Sequence, residues 1–564
     1  MFVPESKDFD LHQVNVADTV CGTASTQEAA AATVPYRRLR APSASNSTLT
    51  LPSVSKALSQ IQSGLFSDPT DNRSPSDDLS DDGFWRELRQ LARQQLISDA
   101  ARYTRRYRDV ELPDGLTSEL PILMAGHQPE LFHPGVWLKN RTLDHMAAAC
   151  RGIAVNLVID NDVAGSRSVR LPSKDTVGHL HCQSVPFDRG GSGVPYEQAE
   201  IQDRELFHHF DRRVAEAVRP WVGDPLVHQL WPHARDAIAR CGIAGCALAQ
   251  ARHALEGQLG WQTLEIPLGV AVRGLPFAKF VERILQDLPH FVEVYNASAD
   301  HYRGWHGIRS SAHPVPNLHR EGEWLETPLW VYGNRSPHRR ALWARRDKDG
   351  WLLSDRVERS VTLPAATTAE TLVEAASPEF KVRPRALMTT MFARLVLSDW
   401  FIHGIGGGKY DQLADQVIRG FFRRTPPPFQ VVSGTFRLPQ VDDDIAKTLD
   451  RRSNRFKRLI RESFFQAERH LDQSDPKHRE WCEKKQQLLT AIPPKGQRWQ
   501  WHREMTAVNE QLSRFMAGQR RRWQADLADT NRQLQDQQVI ASRELPFCVF
   551  PLEDLQTRFA KILA

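Results

Sequence analysis

The segment Gly126-His127-Gln128-Pro129-Glu130 sets an imidazole, a primary amide, a rigid ring and a carboxylate behind a glycine. An imidazole titrates near neutrality, so His127 can pass a proton or donate to a phosphate. Glu130 is a natural acid–base counterpart. His127, Glu130 and, thirty residues on, Asp160 are the candidate catalytic groups. Gly126 lets a ligand approach the backbone, and Gln128, His133 and Lys139 add hydrogen-bonding groups for a small polar substrate. Asn161 and Asp162 complete an acidic turn suited to a ribose, an amine or a metal. A third set is His403-Gly404-Ile405-Gly406-Gly407-Gly408-Lys409-Tyr410-Asp411. In a Gly-rich strand-to-helix loop, successive N–H groups can form an anion nest, aided by Lys409 and the helix start. Arg383 and Arg385 flank Pro384, and guanidinium forks suit carboxylates and phosphates.

Several specific chemistries are excluded. The glycine run is not a Walker A loop, because Tyr410 follows Lys409 where Ser or Thr is required and the glycine spacing differs; it is not GxGxxG either. There is no HExxH and no Gly-x-Ser-x-Gly. His179, His181 and Cys182 have no second ligand pair at zinc spacing, so no metal site is expected. The cofactor stays open, with ATP or another nucleotide compatible with the glycine loop.

These groups need elements to hold them. The stretch 120–162 reads as strand, polar loop, helix, strand. An apolar run at 121–125 stops at Gly126, helical spacing follows over 135–150, and a second apolar run at 153–159 stops at Asp160. That is a βαβ unit with its polar groups past the strand ends, where open α/β sheets bind ligands. The stretch 380–422 repeats the logic: a helix over 386–397, a short strand over 399–405, the glycine run, then another helix. Strands are also expected at 264–273 and 426–438.

Around these, residues 1–80 read as a disordered or linker segment, in which 34–39 could add a strand. Residues 84–185 form the first half of a Rossmann-like core and open with a helix over 84–107, capped by Ser80 or Asp81. Residues 186–262 are a helical insertion. Residues 263–440 are the second half of the core. They contain a small antiparallel meander at 323–356 with turn signals at Gly333-Asn334 and Asp349-Gly350. Apolar residues recur at about 3.5-residue spacing in 441–540, predicting two long antiparallel helices, a coiled-coil arm turned at 492–496. The tail 541–564 is apolar enough to dock on the core. The fold class is therefore α/β: a Rossmann-like parallel sheet, a helical insertion, a small meander and a coiled-coil arm.

A chain of 564 residues needs two or three domains. With 41% hydrophobic and 25% charged residues it reads as an ordinary soluble protein. A formal charge of +5 over this length gives no warrant for nucleic-acid binding. Seven scattered cysteines without a CxxC pair suit a reducing compartment. No transmembrane run and no secretory leader is evident, so a cytoplasmic protein with no membrane partner is expected.

The order of these motifs resembles the bacillithiol biosynthesis cysteine-adding enzymes, the BshC family. AGHQPELFHPGVWLKN (125–140) resembles that family's GQQ-type loop, with Gly126 and Gln128 matching and His127 in place of a glutamine. VIDNDVAG (158–165) takes the position of its acidic loop and lacks the histidine. VRPRALM (382–388) and HGIGGGKYD (403–411) resemble its Arg-Pro-Leu helix and Gly-rich loop, and 442–538 resembles its coiled coil. The resemblance implies a ligase joining a cysteine-like carboxylate to the amine of a small sugar-type acceptor, with dimerisation through the coiled coil. The rival expectations are a non-catalytic assembly protein built on the same fold and a nucleotidyltransferase with another substrate.

Overall fold

Ile122, Leu123, Met124 and Ala125 are all fully buried. A strand buried on both faces belongs in the middle of a sheet with helices on either side, and that is where it lies. A computed structural model describes residues 36–64, 79–110, 119–176, 178–191, 193–348, 350–439 and 441–563.

The main sheet has six strands: β1 (Ser47–Leu51), β2 (Ile122–His127), β3 (Ile153–Val158), β4 (Thr263–Pro267), β5 (Trp400–His403) and β6 (Phe429–Thr435), in the spatial order β1-β6-β5-β2-β3-β4. Five run parallel, and β1 is antiparallel to β6. The helices that matter for the site are α1 (Val54–Gln62), α2 (Leu79–Thr104), α3 (Pro134–Cys150), α4 (Ala244–Gln258), α5 (Leu275–Leu285) and α6 (Ile405–Val417).

The helix α3 shows how local sequence sets the frame. His133 caps it, its Nδ1 accepting from Gly135 N at 3.1 Å, and Pro134 takes the first helical position, where its missing N–H costs nothing. Arg151 ends it in the left-handed conformation (φ 53°). Trp137, Leu138, Leu143 and Met146 are fully buried on one face of the sheet with Leu123, Ala125, Trp400 and Val432. Each such side chain contributes about 1.5–3 kcal/mol. The approach is close at Gly135, where a Cβ would lie 2.2 Å from Gly434 O. The other face carries α2 and α6.

Several expectations are corrected here. The linker-like N-terminal segment supplies β1 and α1; a strand lies at 47–51 and none at 36–39, while 1–35 and 65–78 lie outside the described residues. The first long helix starts at Leu79. The strand expected at 264–273 ends at Pro267 and turns into a short helix, Leu268–Ala271. The small meander is part of a larger antiparallel sheet. Its strands Ser360–Pro364, Gly350–Ser354, Arg340–Asp347 and Trp324–Tyr332 are joined by Lys381–Pro384, and Arg320–Glu321 pairs with Trp324–Tyr332. Gly333-Asn334 opens a loop through 339 rather than a tight hairpin, and Asp349 lies outside the described residues. Within the expected first half of the core, residues 168–186 form a separate hairpin, Ser168–Lys174 with Leu180–Pro186, outside the main sheet.

The segment 441–540 forms four helices, not two: Asp443–Phe465, Pro476–Thr490, Trp499–Phe515 and Ala517–Ile540. Of the two extra breaks, at 466–475 and at Met516, the first is chemical. Asp475 accepts from Lys477 N at 2.8 Å and Pro476 starts a new helix. The first and last helices lie antiparallel, with Ser453 bonded to Asn531 and Arg520 over the Phe464 ring. Ala467, Val508, Leu512 and Met516 form a small core there, separate from the main one. The tail does dock. Phe547, Cys548, Val549 and Phe550 are fully buried, Phe547 N donates to Phe132 O at 2.8 Å, and the Phe547 ring packs on Trp137.

Candidate functional site

The connection from β2 through α3 leads to β3 on one side; that from β5 through α6 leads to β6 on the other. β2 and β5 are neighbours, so their carboxyl ends mark a topological switch point, the usual ligand crevice of such sheets. Ile402 pairs with Ala125, which sets His403 beside Gly126. The same register puts His127 and His403 on opposite faces of the sheet.

His127 turns toward α3 and α4. It is 6% exposed, and its Nε2 accepts from Asn140 Nδ2 at 3.1 Å. The proton of the neutral ring then sits on Nδ1, a buried atom with no partner on another residue. Asn140 Nδ2 and Trp137 Nε1 both donate to Glu256 Oε1 at 2.9 Å. Arg252 Nη1 donates to Glu256 Oε2 at 2.6 Å and Nη2 to Glu265, whose Oε1 accepts from Tyr107 OH at 3.2 Å. Burial, then the charges of Arg252 and Lys139, hold His127 well below the usual histidine range. Burial pushes Glu265 up to about 7. Lys139 is 2% exposed, donates to Gly126 O at 2.5 Å, and is brought down to about 7 by burial and by Arg252. It fastens the loop rather than offering a free cation.

His403 faces the α6 side. Its Nε2 donates to Asp411 Oδ2 at 2.6 Å; Arg394 Nη1 donates to the same oxygen at 3.0 Å and Thr390 to Oδ1 at 2.5 Å. Burial pushes the Asp411 carboxyl up, but His403 and Arg394 outweigh it and bring it down to about 2. Gly404 through Asp411 is not a free loop. Gly404 is the N-cap of α6, without a side-chain cap, and the helix begins at Ile405. The N–H groups of 405–407 therefore form an open helix start that can face an anion. Gly407 has no room for a side chain, since a Cβ would lie 2.5 Å from His403 Nδ1. Gly406 and Lys409 are exposed.

A third cluster forms past β3. Asp160 Oδ1 accepts from Gly269 N at 2.8 Å. Glu197 accepts from Tyr332 OH at 2.5 Å and Arg383 Nη2 at 3.1 Å. A Cβ on Gly269 would lie 2.9 Å from Glu197 Oε2 and 3.2 Å from Asp160 Oδ2, so the two carboxylates converge on that glycine. Burial and the Glu197 charge push Asp160 up to about 7, the range of a useful proton carrier at neutral pH. Asn161 Nδ2 donates to Pro384 O at 2.8 Å. Asp162 pairs with Arg339 at 3.0 Å and accepts from Gln128 Nε2 at 3.1 Å, a side-chain bond that joins the β2 and β3 loops.

The expected residues therefore divide. Gly126, Gln128, Asp160, Asn161, Asp162, His403, Gly404, Gly406 and Gly407 lie at the carboxyl edge. His127 is there too, but its ring enters the core opposite His403 and well apart from Lys409. Glu130 is exposed and takes a hydrogen bond from Tyr196, not from His127. His133 is a helix cap, held down to about 4 by burial and by Arg543. Arg385 bonds Glu326 at 2.5 Å and stacks on Trp330, and Arg383 is held by Glu197, so neither fork is free. Asp411 is fully buried.

Glu197, Tyr332, Arg252, Glu256 and Glu265 were not expected. The last three had a signal: Arg252, His253 and Glu256 interrupt an otherwise apolar helix, and Glu265 interrupts a strand. Among the described residues no cluster could hold a metal ion, and no helix is long and apolar enough to cross a membrane. No protein-family model matches the chain, and no curated protein sequence matches it.

Proposed function

We propose that the chain is a Rossmann-like enzyme that joins the carboxylate of a cysteine-like amino acid to the amine of a small sugar-type acceptor, as the resemblance to the bacillithiol-pathway family implies. The observation that carries this reading is the switch point, where the β2 and β5 loops open next to an uncapped helix start. In this reading the N–H groups of 405–407 hold the anionic group, and Gln128 with Asp162 orients the acceptor. Asp160, not His127, handles the proton that the amine must lose. The test is mass spectrometry of the amide product after incubation with ATP, cysteine and glucosaminyl malate. Asp160→Asn and Gln128→Ala should each lower turnover at least tenfold with the fold intact. Wild-type protein that forms no amide, alongside unchanged thiol pools in cells lacking it, would falsify the reading.

A second reading rests on a separate observation. Among the described residues, the exposed large apolar side chains concentrate in the C-terminal helices and their turns: Ile445, Phe464, Phe465, Leu489, Ile492 and Trp499, the last 75% exposed. Such a surface suits a partner. Here the helices form a coiled-coil arm that pairs two copies of the chain. Light scattering should give a dimer for the wild type and a monomer for Phe465→Glu with Trp499→Glu.

A further inference from the structure

Between α5 and the antiparallel sheet lies a cavity of about 270 Å³. Protein interiors leave few voids larger than a water, so a space of this size is a built feature. Its wall is aliphatic: Val281 and Leu285 from α5, Leu329, Leu342 and Leu353 from the antiparallel sheet, and Leu372 from the helix Ala369–Ala375. Its two charged residues are Arg273 and Arg383. Arg383 is committed to Glu197 and to Val382 O. Arg273 is exposed at the mouth. Its main-chain carbonyl accepts from Gln95, while its guanidinium makes no hydrogen bond or ion pair with any described residue. Lys381 interacts with both arginines and with Glu197 and Asp160. Both charged residues of the wall are thus cations, and among the described residues no carboxylate lines it.

We propose that this cavity binds a small amphipathic monocarboxylate, its aliphatic chain against the leucines and its carboxylate paired with Arg273. At about 30 Å³ for each water-sized group, the space takes a chain on the order of nine carbons. A sugar or nucleotide would leave its polar groups unmatched against this wall, and an aliphatic amine would meet two guanidinium groups. The site lies between helices and one face of the antiparallel sheet. It does not depend on the reaction proposed above.

The test is isothermal titration of the full chain with decanoate, decan-1-ol and decylamine. Decanoate should bind saturably at one site and at least tenfold more tightly than decylamine. Arg273→Glu, a surface change, should weaken decanoate at least tenfold and leave decanol unchanged. Ala278→Phe, which fills the cavity from α5, should remove both ligands while a melting curve shows the chain folded; if that variant does not fold, Arg273→Glu decides alone. Decanoate that fails to saturate, binds no better than decylamine, or keeps its affinity in Arg273→Glu overturns the proposal.

Discussion

His127 and His403 close adjacent parallel strands at the same edge, and both are buried, yet they live in different electrostatic worlds. His127 meets an amide, with the cations Arg252 and Lys139 nearby, and is held neutral. His403 meets a carboxylate that also holds a buried arginine. A sheet edge fixes where a side chain starts; the face it takes, and what the helix there presents, fix its partners. α4 offers His127 a carboxylate only through Asn140, whereas α6 places Asp411 directly on His403.

The comparison is most open to attack on the charged side. Asp411→Asn removes the carboxylate that His403 and Arg394 share and leaves Arg394 paired with Asp415 alone, which should cost about 1.5–3 kcal/mol in urea unfolding. A loss below about 1 kcal/mol would show that water reaches the arginine and that the two sides differ less than described.

Asp160 offers an effect of similar size. Its carboxyl titrates at about 7 in the fold and near 3.9 when unfolded. Between those values the unfolded chain releases this proton first. The group's contribution is therefore fully present below about pH 4 and is lost as pH rises to about 7. Asp160→Asn should flatten that decline by on the order of 3 kcal/mol, read from denaturation curves at pH 4, 5.5 and 7.

His127→Gln should cost about 1–2 kcal/mol, since the amide replaces one hydrogen bond at similar volume. The sign of its pH dependence is opposite. The folded ring resists a proton that the unfolded ring takes near 6.5, so this group destabilises as pH falls below about 6.5. The wild-type His127 ring should be neutral by NMR at pH 5.5. The smallest effect is Gln128→Ala, exposed and within about 0.5 kcal/mol in stability. Any larger change in turnover then reports on the site alone.

The parallel strands were legible because runs such as Ile122–Ala125 and Ile153–Val158 are buried on both faces and end in abrupt polarity. β1 was not, because Ser-Thr-Leu-Thr-Leu alternates weakly inside a polar segment and owes its existence to the edge of β6. Lys381–Pro384 was read as the lead to a helix, since two arginines about a proline carry no strand signal; Trp324–Tyr332 recruits it. His127 is legible as a polar residue past a strand, but the face its ring takes is not, because that depends on register with β5. Glu197 and Tyr332 stand far from Asp160 and Arg383 in sequence, and no local pattern announces such a meeting.

The pairing of β1 with β6 bears on how the polypeptide matures. Ser47 pairs with Thr435, so β1 is synthesised long before the strand beside which it lies. The docked turn at Phe547–Val549 arrives later still and seals the Phe132 loop. Contacts between segments so far apart in the chain close slowly, so this end of the sheet is expected to form late in folding.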